Sequence, residues 1–113
     1  MEKQLLSNFQ EFSEEKFTKR IVYKKGDCTV FLLNFLPGQQ LPPHAHPGSE
    51  VFIQMMQGAG TFTVDGTKIT LSQNEVLHCR DQEKLAFENS GTEPVSLYVT
   101  LSKIPAEEYA QNI

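Results

Sequence analysis

Short runs of β-forming residues, separated by turn signals, follow one another through most of the chain. Their spacing of about eight to twelve residues predicts an all-β sandwich or barrel, closed so that few strand edges stay open. Helical patterns appear only at the ends, where residues 1–16 read as an arm or short helix and residues 105–112 as a short helix with Pro105 in its first turn. The predicted strands are residues 17–23, 28–36, 50–56, 61–64, 67–71, 76–79, 85–89 and 95–101.

The clearest local prediction is the hairpin around Asp65 and Gly66. This dipeptide separates two alternating β-forming runs, and Asp-Gly favours a two-residue type I′ turn because both positions need positive φ. In that register Phe62 faces Ile69 across the pair. The hairpin therefore predicts one antiparallel pair of strands with a defined register.

The length and charge of the chain limit the number of domains and the kinds of partner. A chain of 113 residues predicts one domain, 1–113, with a barrel over residues 17–101 and a single core. The 14 acidic and 10 basic residues leave a net charge of -4 without a basic run. Because a phosphate backbone is repelled by that balance, we expect no nucleic-acid partner.

Signals for membranes, secretion and disulfides are weak in the sequence. No stretch approaches the roughly 20 apolar residues of a membrane span, and the N-terminus lacks the basic start and apolar core of a secretory signal. We therefore expect a cytoplasmic protein without a membrane partner. Cys28 and Cys79 lie far apart and outside any Cys-x-x-Cys motif, which predicts free thiols that serve as small apolar residues.

The candidate chemistry is concentrated in residues 38–50. His44 and His46 stand two positions apart, and Glu50 follows four positions later. In an extended chain such a pair shares one face, with side chains about 6.5 to 7 Å apart, so both imidazoles can reach one divalent ion. Pro42 and Pro43 favour that extended backbone. The alternative is that both histidines are solvated loop residues.

The motif in this segment resembles the first motif of small single-domain cupins. That motif runs glycine, five residues, His-x-His, three or four residues, glutamate, six residues, glycine. Gly38, His44, His46 and Glu50 match it, whereas Gly58 follows Glu50 after seven residues. Either a β-bulge absorbs the extra residue and leaves Glu50 inward, or Val51 takes the usual ligand position.

The second cupin motif matches only at Asn89, and the family's third histidine falls at Leu85. Three outcomes are open. His44, His46 and Glu50 alone hold the ion, in an open site that suits non-haem Fe(II). Alternatively His78 fills the gap, because a turn centred on residues 81 and 82 would place it opposite Leu85. In the third outcome the barrel binds its ligand without metal.

The resemblance implies a cupin-type double-stranded β-helix, an RmlC-like jelly-roll barrel, that encloses a small-molecule ligand. If Glu50 points inward, alternation along its strand brings the next three residues of the same face into the pocket. The hairpin adds one residue and the second motif adds two. The alternative is that each of these six residues belongs to the ordinary barrel core. The predicted pocket residues are Phe52, Gln54, Met56, Phe62, Leu85 and Phe87.

Two classes of function follow from the resemblance. The first is a metal-dependent dioxygenase or isomerase that uses a divalent transition metal such as Fe, Mn, Zn or Ni, with Glu50 as the catalytic base if it does not bind the ion. The second is a non-catalytic cupin that binds a ligand or metal in a degenerate site. The family also suggests a homodimer.

Overall fold

The computed structural model describes residues 1–103, and the helix predicted over residues 105–112 lies outside them. The N-terminal arm contains one turn of 3-10 helix, Leu6–Phe9. None of the helices in the described residues is long and apolar enough to cross a membrane. The strands are β1 Thr18–Lys25, β2 Cys28–Phe35, β3 Gln40–His44, β4 Ser49–Gln57, β5 Gly60–Val64, β6 Thr67–Leu71, β7 Val76–Cys79, β8 Leu85–Glu88 and β9 Val95–Lys103.

The strands form two antiparallel sheets. One sheet has five strands in the order β1-β2-β9-β4-β7, and the other has four in the order β3-β8-β5-β6. From β2 onward the chain crosses between the sheets repeatedly, and only the β5-β6 hairpin stays within one of them. This is the jelly-roll arrangement, so the predicted all-β fold class is confirmed.

The hydrophobic core lies between the two sheets and follows the strand alternation. In β4 the side chains of Val51, Ile53 and Met55 are buried, while those between them are not. Three aromatic rings join the layers: the ring centroids of Phe35 and Phe87 lie 4.8 Å apart, and those of Phe62 and Phe87 lie 4.6 Å apart. Burying such side chains contributes about 1.5 to 3 kcal/mol each.

The β5-β6 hairpin has the predicted turn and register. Asp65 and Gly66 have φ values of 48° and 82°, as a type I′ turn requires, and Phe62 pairs with Ile69. The far side of β5 pairs with β8, where Phe62 meets Phe87. The hairpin therefore extends the four-stranded sheet and places Phe62 on its inner face.

The N-terminal arm is attached to the outer face of the five-stranded sheet by a polar network. Asn34 and Ser96 are fully buried there, and the Ser96 hydroxyl donates to Asn34 Oδ1 at 2.8 Å. Asn34 Nδ2 donates to the Phe9 carbonyl at 2.8 Å, and Gln10 Nε2 donates to Ser96 Oγ at 3.0 Å. Because each of these buried polar groups has a hydrogen-bond partner, the bonds offset the cost of removing the groups from water.

The predicted pairing of His78 with Leu85 is wrong. β7 pairs with β4, so His78 lies opposite Phe52, whereas Leu85 in β8 lies opposite His44 and Val64. The connection between β7 and β8 is not a hairpin turn, because the two strands belong to different sheets. The turn predicted at residues 81 and 82 therefore does not bring His78 opposite Leu85.

Gly60 is the position where the core tolerates a methyl group least. A Cβ there would lie 2.3 Å from the Phe87 ring and 3.0 Å from the Glu88 carbonyl oxygen. We expect Gly60→Ala to lower the free energy of unfolding by about 1 to 3 kcal/mol, since overpacking displaces a buried ring. Urea unfolding measures this change.

Gly91→Ala is the matched control, because a Cβ at Gly91 would meet its nearest atom, Asn89 Oδ1, at an ordinary 3.7 Å. That variant should stay within about 0.5 kcal/mol of the parent. Equal unfolding midpoints for both variants would contradict the packing at Gly60.

Candidate functional site

His44 and His46 converge on one point at the end of β3. Pro42 and Pro43 have no backbone N–H, and the β3-β8 pairing is irregular between Leu41 and His44. The extended chain beyond that break brings the two Nε2 atoms within 3.2 Å of each other. The spacing of the pair in the sequence therefore produces the predicted convergence.

The hydrogen bonds of His44 determine its neutral tautomer. Its Nδ1 lies 2.9 Å from the Pro42 carbonyl oxygen. Because that oxygen can only accept, Nδ1 carries the proton and Nε2 presents its lone pair. When His44 is in this tautomer, His46 Nε2–H can donate to that lone pair, since the two Nε2 atoms lie within hydrogen-bond distance.

His46 is held in its neutral form. Burial is the main cause that lowers its pKa, and the positive charges of His44 and Lys19 lower it further. A neutral imidazole can donate, accept or bind a metal ion. His46 therefore offers an uncharged ring nitrogen next to His44.

The two histidines face a cavity of about 170 Å³ between the sheets. Its wall is almost entirely apolar, and Phe62 and Leu85 belong to it as predicted. Phe87 packs behind this wall as core, against Phe62 and Phe35. The cavity is lined by Phe17, Lys19, Phe31, Leu33, Leu41, His44, His46, Val51, Ile53, Phe62, Leu85, Leu97 and Val99.

The predicted inward orientation of Glu50 is wrong. The pairing of β4 with β9 runs without interruption from Ser49 to Met55, and the bulge follows between Met55 and Gln57. Val51 is therefore the inward residue, and six residues separate it from Gly58, as in the family motif. Of the two alternatives considered from the sequence, the one that places Val51 at the ligand position describes the structure.

The same alternation removes Phe52, Gln54 and Met56 from the predicted pocket. All three lie on the opposite face of β4 from Val51 and Ile53, and Phe52 is 41% exposed. They do not line the cavity between the sheets. Their orientation was predicted from that of Glu50, so one register error reversed the whole set.

Glu50 and His78 meet on the outer face of the five-stranded sheet. A Glu50 carboxylate oxygen contacts His78 Nε2, and the Phe52 ring stacks on the His78 ring at 4.9 Å between centroids. Both side chains of the pair are more than a third exposed, at 37% and 43%, so it adds little stability. The sequence grouped Glu50 and His78 with the other two histidines, but the structure places the two pairs on opposite sides of the sheet.

Cys79 is a core residue, as expected. It lies opposite Val51 in the β4-β7 pair and is 2% exposed. Burial, followed by the nearby carboxylates of Glu83 and Asp65, raises the pKa of its thiol to about 11. The thiol therefore stays protonated near neutral pH, which makes it a poor metal ligand.

A four-ligand cupin metal centre does not fit these residues. The 3.2 Å separation of the two Nε2 atoms suits two nitrogens bound to one ion at about 2.1 Å. The positions of the family's glutamate and third histidine, however, are occupied by Val51 and Leu85, which have no donor atoms. Within residues 1–103, no group of three or more His, Cys, Asp or Glu side chains could hold an ion.

Lys19 is the functional candidate that the sequence reasoning missed. Its side chain lines the cavity, and its ammonium group lies 4.5 Å from the centre of the Phe31 ring. Strand alternation could have found it, because Phe17 and Lys19 share the face of the first predicted strand that meets the core. Its charge therefore lies beside a wall that is otherwise almost entirely apolar.

Restoring the two missing donors should restore metal binding. We expect Val51→Glu combined with Leu85→His to bind Zn²⁺ at least about tenfold more tightly than the parent, because Leu85 lies directly opposite His44. Isothermal titration measures the affinity. Thermal unfolding with and without Zn²⁺ detects binding even if the variant is less stable.

The control places the same side chains on outward positions of the same two strands, as Gln54→Glu combined with Ala86→His. It should bind Zn²⁺ no better than the parent. Equal affinities for both double variants would contradict the inward placement of Val51 and Leu85.

Comparisons with solved structures agree with this fold. The structure of TT1209 from Thermus thermophilus superposes with a TM-score of 0.87 and 23% identity, over 93% of this chain and 100% of that one. An RmlC-like cupin from Desulfovibrio desulfuricans gives a TM-score of 0.81 and 24% identity, over 90% and 96%. At these identities the similarity shows the fold alone.

A sequence relative is the tetracenomycin polyketide synthase protein TcmJ of Streptomyces glaucescens, 25% identical over 81 residues. The match covers 70% of this chain, which spans about half the length of that relative, 54%. The family model of the cupin domain matches residues 31–101, which contain His44, His46 and most of the cavity wall. The chain therefore belongs to the cupin family.

Proposed function

We propose that the protein binds a small organic molecule inside its barrel without a four-ligand metal centre. The observation that carries this proposal is the identity of the two inward positions, Val51 and Leu85, where a cupin metal centre needs a carboxylate and an imidazole. Apolar side chains there enlarge the hydrophobic wall. Most small-molecule pockets combine such a wall with a few polar groups.

The size of the cavity limits the ligand. At about 170 Å³ it is smaller than the roughly 300 to 1,000 Å³ of pockets for larger ligands. An apolar protein cavity of about 150 Å³ holds one benzene molecule. The ligand, or the part of it that enters the barrel, is therefore about the size of one aromatic ring.

The polar contacts come from the histidine pair. The wall residues Val51 and Leu85 are buried, whereas His44 and His46 are half-buried, so the nitrogens lie at the solvent end of the cavity. A ligand hydroxyl or carbonyl can hydrogen-bond to either ring there while the ring of the ligand fills the apolar part. Such a ligand is consistent with the similarity to a protein of a polyketide synthase.

A metal-dependent oxidoreductase or isomerase is the second candidate. His44 favours it, because a metal-binding histidine commonly donates its other ring N–H to a backbone carbonyl, as Nδ1 does here to Pro42. His44 and His46 would then hold a divalent transition metal ion, and solvent or substrate would supply the other ligands. When bound, such an ion would polarise a substrate oxygen or activate water or O₂.

The homodimer suggested by the family stays a prediction. Phe52 at 41% and Val76 at 60% exposure form an apolar area on the outer face of the five-stranded sheet, which supports contact with a second copy. Light scattering coupled to size-exclusion chromatography tests it, and the mass of one chain at all concentrations would contradict it.

Benzyl alcohol is a suitable probe for the proposed binding, because it joins one aromatic ring to one hydroxyl. We expect it to shift the amide NMR signals of the cavity residues in saturable fashion. Dialysis against EDTA should change its affinity less than about twofold, since no metal ion takes part. Elemental analysis of the untagged protein should find only trace metal.

Two variants with the same new side chain test the location of binding. Val51→Phe fills the cavity and should abolish the shifts, whereas Gln54→Phe, on the outward face of the same strand, should leave them intact. Loss of binding after EDTA treatment would favour the second candidate. So would stoichiometric metal that disappears in His44→Ala and His46→Ala.

A further inference from the structure

The cavity has one charged side chain at its solvent end. Among the residues of 1–103 that line it, Lys19 is the only lysine or arginine, and none is acidic. Phe17, just before β1, and Lys19 in β1 line the cavity together with Phe31 and Leu33 of β2. Lys19 is exposed, so it lies at the open, solvent end of the cavity.

Contact with an aromatic ring holds the ammonium group of Lys19 in this place. Its Nζ lies 4.5 Å from the centroid of the Phe31 ring, within the range of a cation–π interaction. The aliphatic stem of lysine can cover apolar surface while its charge stays near water. Lys19 thus brings a positive charge to the cavity without being buried.

The charge of Lys19 is not neutralised by a carboxylate of the described chain. Two other cations of β1 are paired, Arg20 with Glu11 and Lys25 with Glu2, but none of the ion pairs within residues 1–103 includes Lys19. The protein as a whole carries a net charge of -4, but residues 16–25 contain five lysines and arginines and no acidic residue, so positive charge is concentrated around Lys19. A charge of this kind, next to a mainly apolar cavity, complements a ligand that carries the opposite charge.

We infer that the ligand is an organic anion of the carboxylate or enolate class, and that Lys19 selects it. This inference rests on the proposed function, because it names the ligand class of the same cavity. The apolar part of the ligand occupies the space between the sheets. Its anionic oxygen accepts a charge-assisted hydrogen bond from Lys19 Nζ at the solvent end.

Benzoate and benzamide provide the test, because they share a ring and shape and differ mainly in charge. In NMR titrations of the full chain we expect benzoate to bind about tenfold more tightly than benzamide, the effect of one charge-assisted hydrogen bond at a partly exposed site. The preference should decrease between about 20 mM and about 500 mM NaCl, because salt screens an exposed charge.

Three variants of β1 assign the preference to Lys19. Lys19→Met keeps a stem of similar length and should reduce the preference to less than about twofold while benzamide binds as before. Lys19→Arg should retain most of it. Lys24→Met removes an exposed lysine of the same strand that does not line the cavity, and should retain all of it.

The outcomes separate this inference from the proposed function. If benzoate and benzamide bind the parent equally, or if Lys19→Met keeps the preference, the inference is overturned and the proposed binding stands. If neither compound nor benzyl alcohol shifts the signals of the cavity residues, the proposed function fails and the inference fails with it.

Discussion

The orientation of β4 is the constraint on which the rest of the site depends. This strand is hydrogen-bonded on both sides, to β9 and to β7, so its register cannot change without breaking two ladders. A shift of one residue would expose Val51, Ile53 and Met55 and would bury the carboxylate of Glu50. The loss of core burial and the desolvation of a charge both oppose that shift. The cavity wall is therefore apolar at Val51.

The polar groups of the cavity come from strands with weaker constraints. His44 and His46 lie at the end of β3, where two prolines interrupt the pairing, and Lys19 lies in β1 at the edge of the five-stranded sheet. The two sheets thus supply different nitrogens to the same solvent end. A rigid apolar interior with polar groups at its opening suits the binding of a molecule with one polar end.

Asn89, the single match to the second cupin motif, has a structural role in this chain. Its Nδ2 donates to the carbonyl oxygens of Phe35 and Glu93, and its Oδ1 accepts from Gly91 N–H. These bonds hold the loop between β8 and β9. Asn89 therefore stabilises the connection that brings β9 beside β4, while the ligand position four residues earlier is Leu85.

The sequence alone determined the features that depend on neighbouring residues. Strand alternation, the Asp65-Gly66 turn and the convergence of His44 with His46 all follow from local backbone geometry. Only the tertiary structure decided which face of β4 is buried, that β7 and β8 belong to different sheets, and that Lys19 reaches the same cavity as the histidines. These features depend on pairing between strands that are distant in the chain. The alternation of side chains along a strand assigns residues to two faces, but it does not say which face meets the core.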